Sequence, residues 1–380
     1  MEKILFLMRY PLQDAYNLKQ KFDGQMQACV DLGYDVYYIA YDEKNYYVCS
    51  YKDKSRKKIG KRHFCGLKNY RSTYAFFDLY SALSRLLKDT AFDYIYMRKK
   101  LVTKKAVSAL SKHKNGGGKL IVEIPSYGVN EAALGFTRVI INKLYSGAEK
   151  KFGSLVDLYT LIGNECPDTY KGKPAVEISN GITLKNIPVK KQTKLESEIH
   201  ILALASMCDW QGYDRIIKGM SGYFGKYRLV LELAGDDFDG SVQRWKKLAE
   251  ELKLSDNVVY HGPLYGAQLD EIFDKCHVAA GSMALFRKKA FSASTLKVRE
   301  YIGRGIPFVY AYDDYALSGE EWFAKKLPAD ESAADFGQIV SWLENVYNKD
   351  GFSSDMREFA DKHLSWVSQF EKVLSKTKRL

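Results

Sequence analysis

The chain has 380 residues, beyond the size at which one hydrophobic core keeps growing, so two domains are expected. Its 46% hydrophobic and 27% charged residues exclude a disordered, collagen-like or fibrous chain. The net charge of +12 gathers partly in Lys52–Arg62 and Lys185–Lys194, and no nucleic-acid motif accompanies it, which sets nucleic acid aside as a partner. A solvated loop, an anionic membrane surface and a phosphorylated ligand remain as readings of that charge.

Apolar strand-like runs alternate with helical patterns in an order typical of parallel α/β sheets. Strands are predicted at Ile4–Met8, Asp35–Tyr41, Tyr94–Met97, Leu120–Ile124, Leu158–Ile162 and Val176–Ser179. Helices are predicted between them at Asn17–Leu32, Thr73–Lys88, Thr103–His113 and Glu131–Lys151. Thr183–Ser197 carries Pro188 and many lysines without apolar periodicity and is predicted to be a linker. The scheme then repeats, with strands at Ile199–Ala205, Leu229–Ala234, Val258–His261, Val278–Gly281 and Phe308–Ala311. Helices are predicted at Gly212–Tyr223, Val242–Leu252, Ala267–Lys275, Thr295–Arg304 and Ala333–Tyr347, and a last one at Ser354–Ser375. Two doubly wound, Rossmann-like domains facing across a cleft follow from this, with ligands beyond the carboxyl ends of the strands.

The apolar run Ile4–Met8 is too short for a secretory leader, and no stretch approaches the roughly 18–20 apolar residues of a membrane span. A cytoplasmic protein is expected, with the basic surface raising contact with the inner face of the cell membrane. The six cysteines form no CxxC pair and are expected to be reduced, and the six histidines form no HxxxH or HExxH spacing, so no metal is expected.

Gly281–Pro307 carries the densest chemistry. A strand ends at Gly281, Ser294 is predicted to cap a helix whose first residue is Thr295, and Gly305 with Pro307 ends it. The unpaired N–H groups of that helix start, from Ser294 through Thr295 and Leu296, suit a diphosphate. Lys297 adds a cation in the first turn, and Glu300 lies on the same helix face, where its carboxylate can accept bonds from ribose hydroxyls or simply face solvent. Glu123 ends the strand Leu120–Ile124 before Pro125, Ser126 and Tyr127, where a carboxylate can hold sugar or acceptor hydroxyls.

The run STLKVREYIGRGIPFVYAY (residues 294–312) resembles the donor-site helix of retaining GT-B glycosyltransferases of family 4, in particular a bacterial subgroup with the pattern S-x-L-K-x-x-E-Y-x-x-x-G-x-P. LELAGDD (231–237), NVVYHGPL (257–264), ISNG (178–181) and WQGYDR (210–215) resemble further family segments in the family's order. The resemblance implies an acceptor-binding domain at 1–182, a linker at 183–197, a donor-binding domain at 198–352 and a C-terminal helix, 353–380, crossing back to the first domain. It implies retention of configuration without bound metal or cofactor, and a nucleotide diphosphate sugar as donor, a UDP-sugar before a GDP- or dTDP-sugar. The implied acceptor is a glycan or a polyprenyl-diphosphate-linked one, in cell-surface polysaccharide synthesis. Lys297 is then assigned to the leaving diphosphate, Glu300 to ribose, and Gly235 and Gly262 to the nucleotide. Ser292 stands where the family has a sugar-contacting glutamate; Ser206 and Gln211 stand where it has an Arg and a Lys. Arg287, Arg215 and Arg299 are the candidates, with Lys297, to supply that lost charge. A catalytically silent subunit that supports an active partner, or a nucleotide-sugar epimerase of the same fold, stays open as an alternative.

Overall fold

Apolar runs without a polar face suit strands that helices cover on both sides, and the chain builds two sheets from them. The structure, a computed structural model, describes residues 1–12, 18–63, 72–125, 127, 136–163, 166–185 and 187–380. It divides into two units, Met1–Ser179 with Trp366–Leu380, and Asn180–Ser365.

The first unit runs β1 (Lys3–Pro11), α1 (Lys19–Asp31), β2 (Asp35–Tyr41), β3 (Asn45–Ser50), β4 (Arg56–Lys61), α2 (Ser72–Asp89), β5 (Tyr94–Arg98), α3 (Lys104–Asn115), β6 (Lys119–Ile124), α4 (Phe136–Leu155), β7 (Leu158–Ile162), β8 (Thr169–Tyr170) and β9 (Lys173–Ile178). Its sheet has the order β4-β3-β2-β1-β5-β6-β7-β9-β8 among the described residues. Neighbours from β2 to β9 are parallel, and β3, β4 and β8 are added antiparallel at the edges. Leu5, Leu7, Ile95, Met97, Leu120 and Val122 face one core with α2 and α3. On the other face Phe6 and Tyr96 stack on Phe370.

The second unit runs β10 (Glu198–Leu204), α5 (Tyr213–Ser221), β11 (Arg228–Ala234), α6 (Ser241–Glu251), β12 (Val258–Gly262), α7 (Ala267–Lys275), β13 (Val278–Ala280), β14 (Ser292–Ala293), α8 (Leu296–Arg304), β15 (Phe308–Tyr310), β16 (Asp313–Asp314), β17 (Ala324–Lys326), α9 (Phe336–Tyr347) and α10 (Phe352–Phe359). Its main sheet is parallel in the order β12-β11-β10-β13-β15-β17, and β14 pairs with β16 apart from it. Ile199, Ile201 and Ala203 face one core, and Leu202 faces the other with Phe273, Val298 and Tyr301. The last helix, α11 (Trp366–Lys378), packs on α1 and β9 of the first unit.

Three expectations are corrected. Part of the basic Lys52–Arg62 cluster is an edge strand rather than a solvated loop: in β4 only Ile59 and Gly60 are buried, and exposed Arg56, Lys57 and Lys58 mark a charged edge that resists further pairing. The segment 183–197 is not a free linker. Arg357 donates to the carbonyls of Leu184 and Ile187, at 2.6 and 2.8 Å, and the Lys190 N–H bonds Arg304 O at 2.8 Å, so backbone bonding rather than apolar period holds it to the second unit. The predicted helix Ser354–Ser375 breaks at Ser365, whose ψ of 147° is extended, and α10 and α11 fall in different units. Within the described residues no helix is long and apolar enough to cross a membrane.

At the end of β11, Gly235 takes φ +138°, and a Cβ there would lie 1.7 Å from Ala205 O, so only glycine lets the two strand ends approach. Replacing Gly235 with Ala is expected to cost at least about 2 kcal/mol of stability, measured as a lower denaturant midpoint. An unchanged midpoint would show that the β10 end gives way.

His277 is buried with Nδ1 accepting from the His200 N–H at 3.1 Å and Nε2 at 3.2 Å from Lys194 O. Burial, with His200 and Lys190 nearby, holds its pKa down at about 4. The unfolded chain therefore takes up a proton near the ordinary histidine value of 6.5 that the folded chain refuses until about 4. Stability is full above pH 6.5 and is expected to fall by roughly 2 kcal/mol between pH 6.5 and 4.5. Melting temperatures across that window check this, and His277→Gln should flatten the decline.

Candidate functional site

In the second unit, β10 leads outward to β11 and β12 on one side and β13 lies on the other, so the carboxyl ends of β10 and β13 form the crevice where the winding reverses. Gln211, in a short turn after β10, donates from Nε2 to Ser206 O at 3.2 Å and accepts at Oε1 from Ser282 Oγ at 2.9 Å. Tyr213, at the start of α5, places its hydroxyl 3.4 Å from Ala280 O at the end of β13. Lys297 reaches this point from the first turn of α8. Its Nζ donates to Gln211 Oε1 at 2.6 Å and to Tyr213 OH at 3.0 Å, and lies 5.3 Å from the Tyr213 ring centroid. Both partners are neutral, and among the described residues Lys297 makes no ion pair with a carboxylate. Burial lowers its pKa to about 7. An ammonium in this state gains from any anion that arrives.

Lys288 is a second cation there, and sequence reasoning did not single it out. Its Nζ lies 3.6 Å from the Trp210 ring centroid, and burial lowers its pKa. Like Lys297 it has no carboxylate partner among the described residues, and its charge adds to the effect of burial in lowering the Lys297 pKa. The signal available in the sequence was a lysine in the irregular stretch before the helix, beside an arginine that drew attention first.

The helix start differs from expectation by one residue. Thr295, not Ser294, is the N-cap, and its hydroxyl meets Tyr312 OH at 2.7 Å instead of capping an N–H. Ser294 Oγ is drawn away by the Asn180 N–H at 3.0 Å and Arg299 Nη2 at 2.9 Å. No side chain caps α8, so the N–H groups of its first turn, from Leu296 on, are open to an acceptor. Glu300 lies one turn along and accepts from Arg304 Nε at 3.0 Å. Ser292, in β14, is partly exposed with Oγ 3.5 Å from Tyr315 OH. Gly235 N–H bonds Gly262 O at 2.8 Å, and Gly262, at φ +70°, has open space where a side chain would stand.

The structure does not bring the predicted arginines to Lys297. Arg287 lies bidentate on Asp214, at 2.9 and 2.9 Å, and also meets Glu331 at 2.5 Å, which holds its guanidinium firmly charged but already neutralised. Arg215 is fully buried and donates to the carbonyls of Ser332, Met283 and Pro328. Arg299 is also fully buried, paired with Asp314 at 2.6 Å. These three hold loops in place, bound to carboxylates or carbonyls of their own chain, although Arg299 Nη1 has no partner among the described residues.

Glu123, in the first unit, is likewise no open strand-end carboxylate. It is fully buried, with Oε1 accepting from Lys21 Nζ at 3.0 Å and Oε2 from Gln25 Nε2 at 2.8 Å and Tyr96 OH at 2.7 Å. Those donors hold its pKa below the usual carboxylate range against the effect of burial. Its oxygens are therefore taken by its own chain. Tyr127 packs edge-on against Tyr170 at 5.8 Å, and Ser126 and residues 13–17 of the loop after β1 lie outside the described residues.

No protein-family model and no curated protein matches the sequence. Solved structures do match in three dimensions. A glycosyltransferase from Rickettsia africae ESF-5 superposes with a TM-score of 0.66 at 12% identity, over 100% of this chain and 98% of its own. Alr3699/HepE from Anabaena in complex with UDP gives 0.64 at 12%, over all of both chains, and is also solved with UDP-glucose. WaaG, a glycosyltransferase involved in lipopolysaccharide biosynthesis, gives 0.56 at 14%, over 99% of each. The chain has the α/β fold of GT-B glycosyltransferases, with two Rossmann-like, parallel-sheet units.

Proposed function

We propose that this chain is a retaining, metal-independent glycosyltransferase that moves a hexose-type sugar from a nucleotide diphosphate to a glycan or lipid-linked acceptor in cell-surface polysaccharide synthesis. The carrying observation is the Lys297 ammonium at the switch point, held by two neutral oxygens and lacking a carboxylate partner among the described residues. The likeness to UDP-bound Alr3699/HepE supports a UDP-sugar as donor.

In this reading the diphosphate lies against the uncapped start of α8, with Lys297 and Lys288 beside it. As the bond from the anomeric carbon to the phosphate oxygen breaks, charge gathers on the leaving diphosphate, and these groups stabilise it more than the ground state. The acceptor oxygen bonds to the anomeric carbon, and its proton passes to a diphosphate oxygen. Glu300 takes the ribose hydroxyls, Gly262 leaves room beside the base, and Ser292 faces the sugar. The first unit binds the acceptor, and the work is done at the cytoplasmic membrane face. Gln211 replaces the family's lysine by drawing Lys297 into place. A second reading, a catalytically silent subunit that stabilises or targets an active glycosyltransferase, draws support from Ser206 at the family's arginine position and from the engaged Arg287, Arg215 and Arg299.

A thermal-shift panel with UDP, GDP, dTDP and CMP should give a clear rise with one nucleotide, about 2.7 kcal/mol at 100 times its dissociation constant. Lys297→Ala should remove the rise, and Lys288→Ala and Glu300→Ala should each weaken binding roughly tenfold. No rise with any nucleotide would defeat the donor assignment, and binding without sugar transfer to any acceptor would favour the silent subunit.

Because the free Lys297 pKa stands at about 7, an arriving diphosphate raises it and binding draws in a proton. Affinity for UDP-glucose should fall as pH rises from 7 to 9, with roughly half a proton taken up per molecule at pH 7. Calorimetry in HEPES and in Tris measures that uptake. Lys297→Arg, always charged, should bind without it, and equal uptake in the variant would point to another group.

A further inference from the structure

The first unit has its own reversal of winding, between β1 and β5, since β2 lies outward of β1 and β6 outward of β5. Arg98 is the last residue of β5 and stands at that edge, with its side chain 18% exposed. Its Nε and Nη1 are both shielded from solvent and have no hydrogen-bond partner among the described residues, and Glu123 Oε1 is 3.7 Å from Nη1. Glu123 is spent on closer donors. Lys21, 4% exposed, takes Oε1 at 3.0 Å, so this cluster holds two cations against one carboxylate.

Gln25 points the same way. Its Nε2 must face Glu123, so the amide cannot turn over, and its Oε1 is left fully buried without a donor among the described residues. Leaving such groups unfilled costs about 1–3 kcal/mol each. Arg9, third from last in β1, rests over other partners, its guanidinium 5.5 Å from the Tyr41 and 5.8 Å from the Phe76 ring centroid. Lys21 and Arg98 together carry more charge than Glu123 offsets, and the unbonded donors of Arg98 suit an oxyanion that offers several acceptor oxygens, as a phosphate does.

We propose that the crevice at the β1 and β5 ends binds the phosphate or diphosphate of a phosphorylated sugar acceptor, with Arg98 as its principal contact and Glu123 as the residue that positions Lys21 and Arg98. This rests on the glycosyltransferase reading. Gln25 Oε1 receives a hydroxyl of the same ligand, directly or through water. The acceptor is therefore the product of a reaction that attaches phosphate to a sugar or joins a sugar phosphate to a carrier.

Inorganic pyrophosphate is the probe, titrated calorimetrically into the Lys297→Ala chain so that the donor site is silenced. Binding should persist there and weaken at least tenfold when Arg98→Met is added, with Arg98→Lys recovering part of it. UDP-glucose affinity of Arg98→Met alone should match that of the unaltered chain, which also reports that the variant folds. No pyrophosphate binding by Lys297→Ala, or binding indifferent to Arg98→Met, overturns the proposal while leaving the donor reading intact. Failure of UDP-glucose to bind the unaltered chain instead strikes the donor reading. Flotation with vesicles of phosphatidylcholine, with and without polyprenyl phosphate, separates the sources. Capture that needs both polyprenyl phosphate and Arg98 identifies a lipid-linked acceptor, and pyrophosphate binding without capture identifies a soluble one.

Discussion

A buried or half-buried ammonium without a counter-charge is unstable in the absence of something to neutralise it, and the second unit keeps Lys297 in that condition. The residues around it belong to different parts of the chain: Gln211 follows β10, Tyr213 begins α5, Ser282 follows β13, and Lys297 itself begins α8. Tyr213 is tied to Ala280 O at the end of β13, Gln211 to Ser206 O just past β10, and Ser282 and Lys297 to Gln211; the strands meet there because the sheet reverses its winding between β10 and β13. The backbone conformation of Gly235 belongs to the same design, since it lets the β11 end close onto Ala205 and keeps the strand ends level. What the site offers is thus a product of the sheet order first and of side-chain identity second.

The arginines show the contrasting case. Arg215 and Arg299 are among the largest fully buried side chains, and Arg287 is paired with three carboxylates, Asp209, Asp214 and Glu331. Each of these is bound to acceptors from its own chain, and those bonds organise loops after β13 and β17 and the start of α8. A cation available for a ligand differs from a structural cation only in its partners, and partners arrive from distant sequence. Lys288 was overlooked, and Arg287 beside it favoured, for that reason.

The two units solve the same problem with different chemistry. In the first, a buried carboxylate gathers Lys21, Gln25 and Tyr96, and Arg98 is left at the rim with donors to spare. In the second, no carboxylate pairs with Lys297 or Lys288 among the described residues; two neutral oxygens hold Lys297, and Lys288 lies over the Trp210 ring. Both arrangements leave positive charge at the carboxyl edge of a parallel sheet, where the helix starts already favour anions.

Most of the fold was legible in the chain. Alternating apolar runs and helical periods located the parallel strands of both sheets except β17, because burial on two faces imposes a pattern that survives in a single sequence. The β3–β4 hairpin escaped because lysines on an edge strand look like a loop, and β14, β16 and β17 are too short to show a period. The break at Ser365 escaped because both halves of the helical pattern are apolar on one side. For the site, the sequence by itself determined a cation in the first turn of a helix that follows a strand, Lys297, with Glu300 one turn on. Only the tertiary structure decided which cations stay uncompensated, that Glu123 faces inward to its own chain, and that Thr295 rather than Ser294 caps α8. Those outcomes depend on hydrogen bonds between residues far apart in the chain, and local pattern carries no record of them.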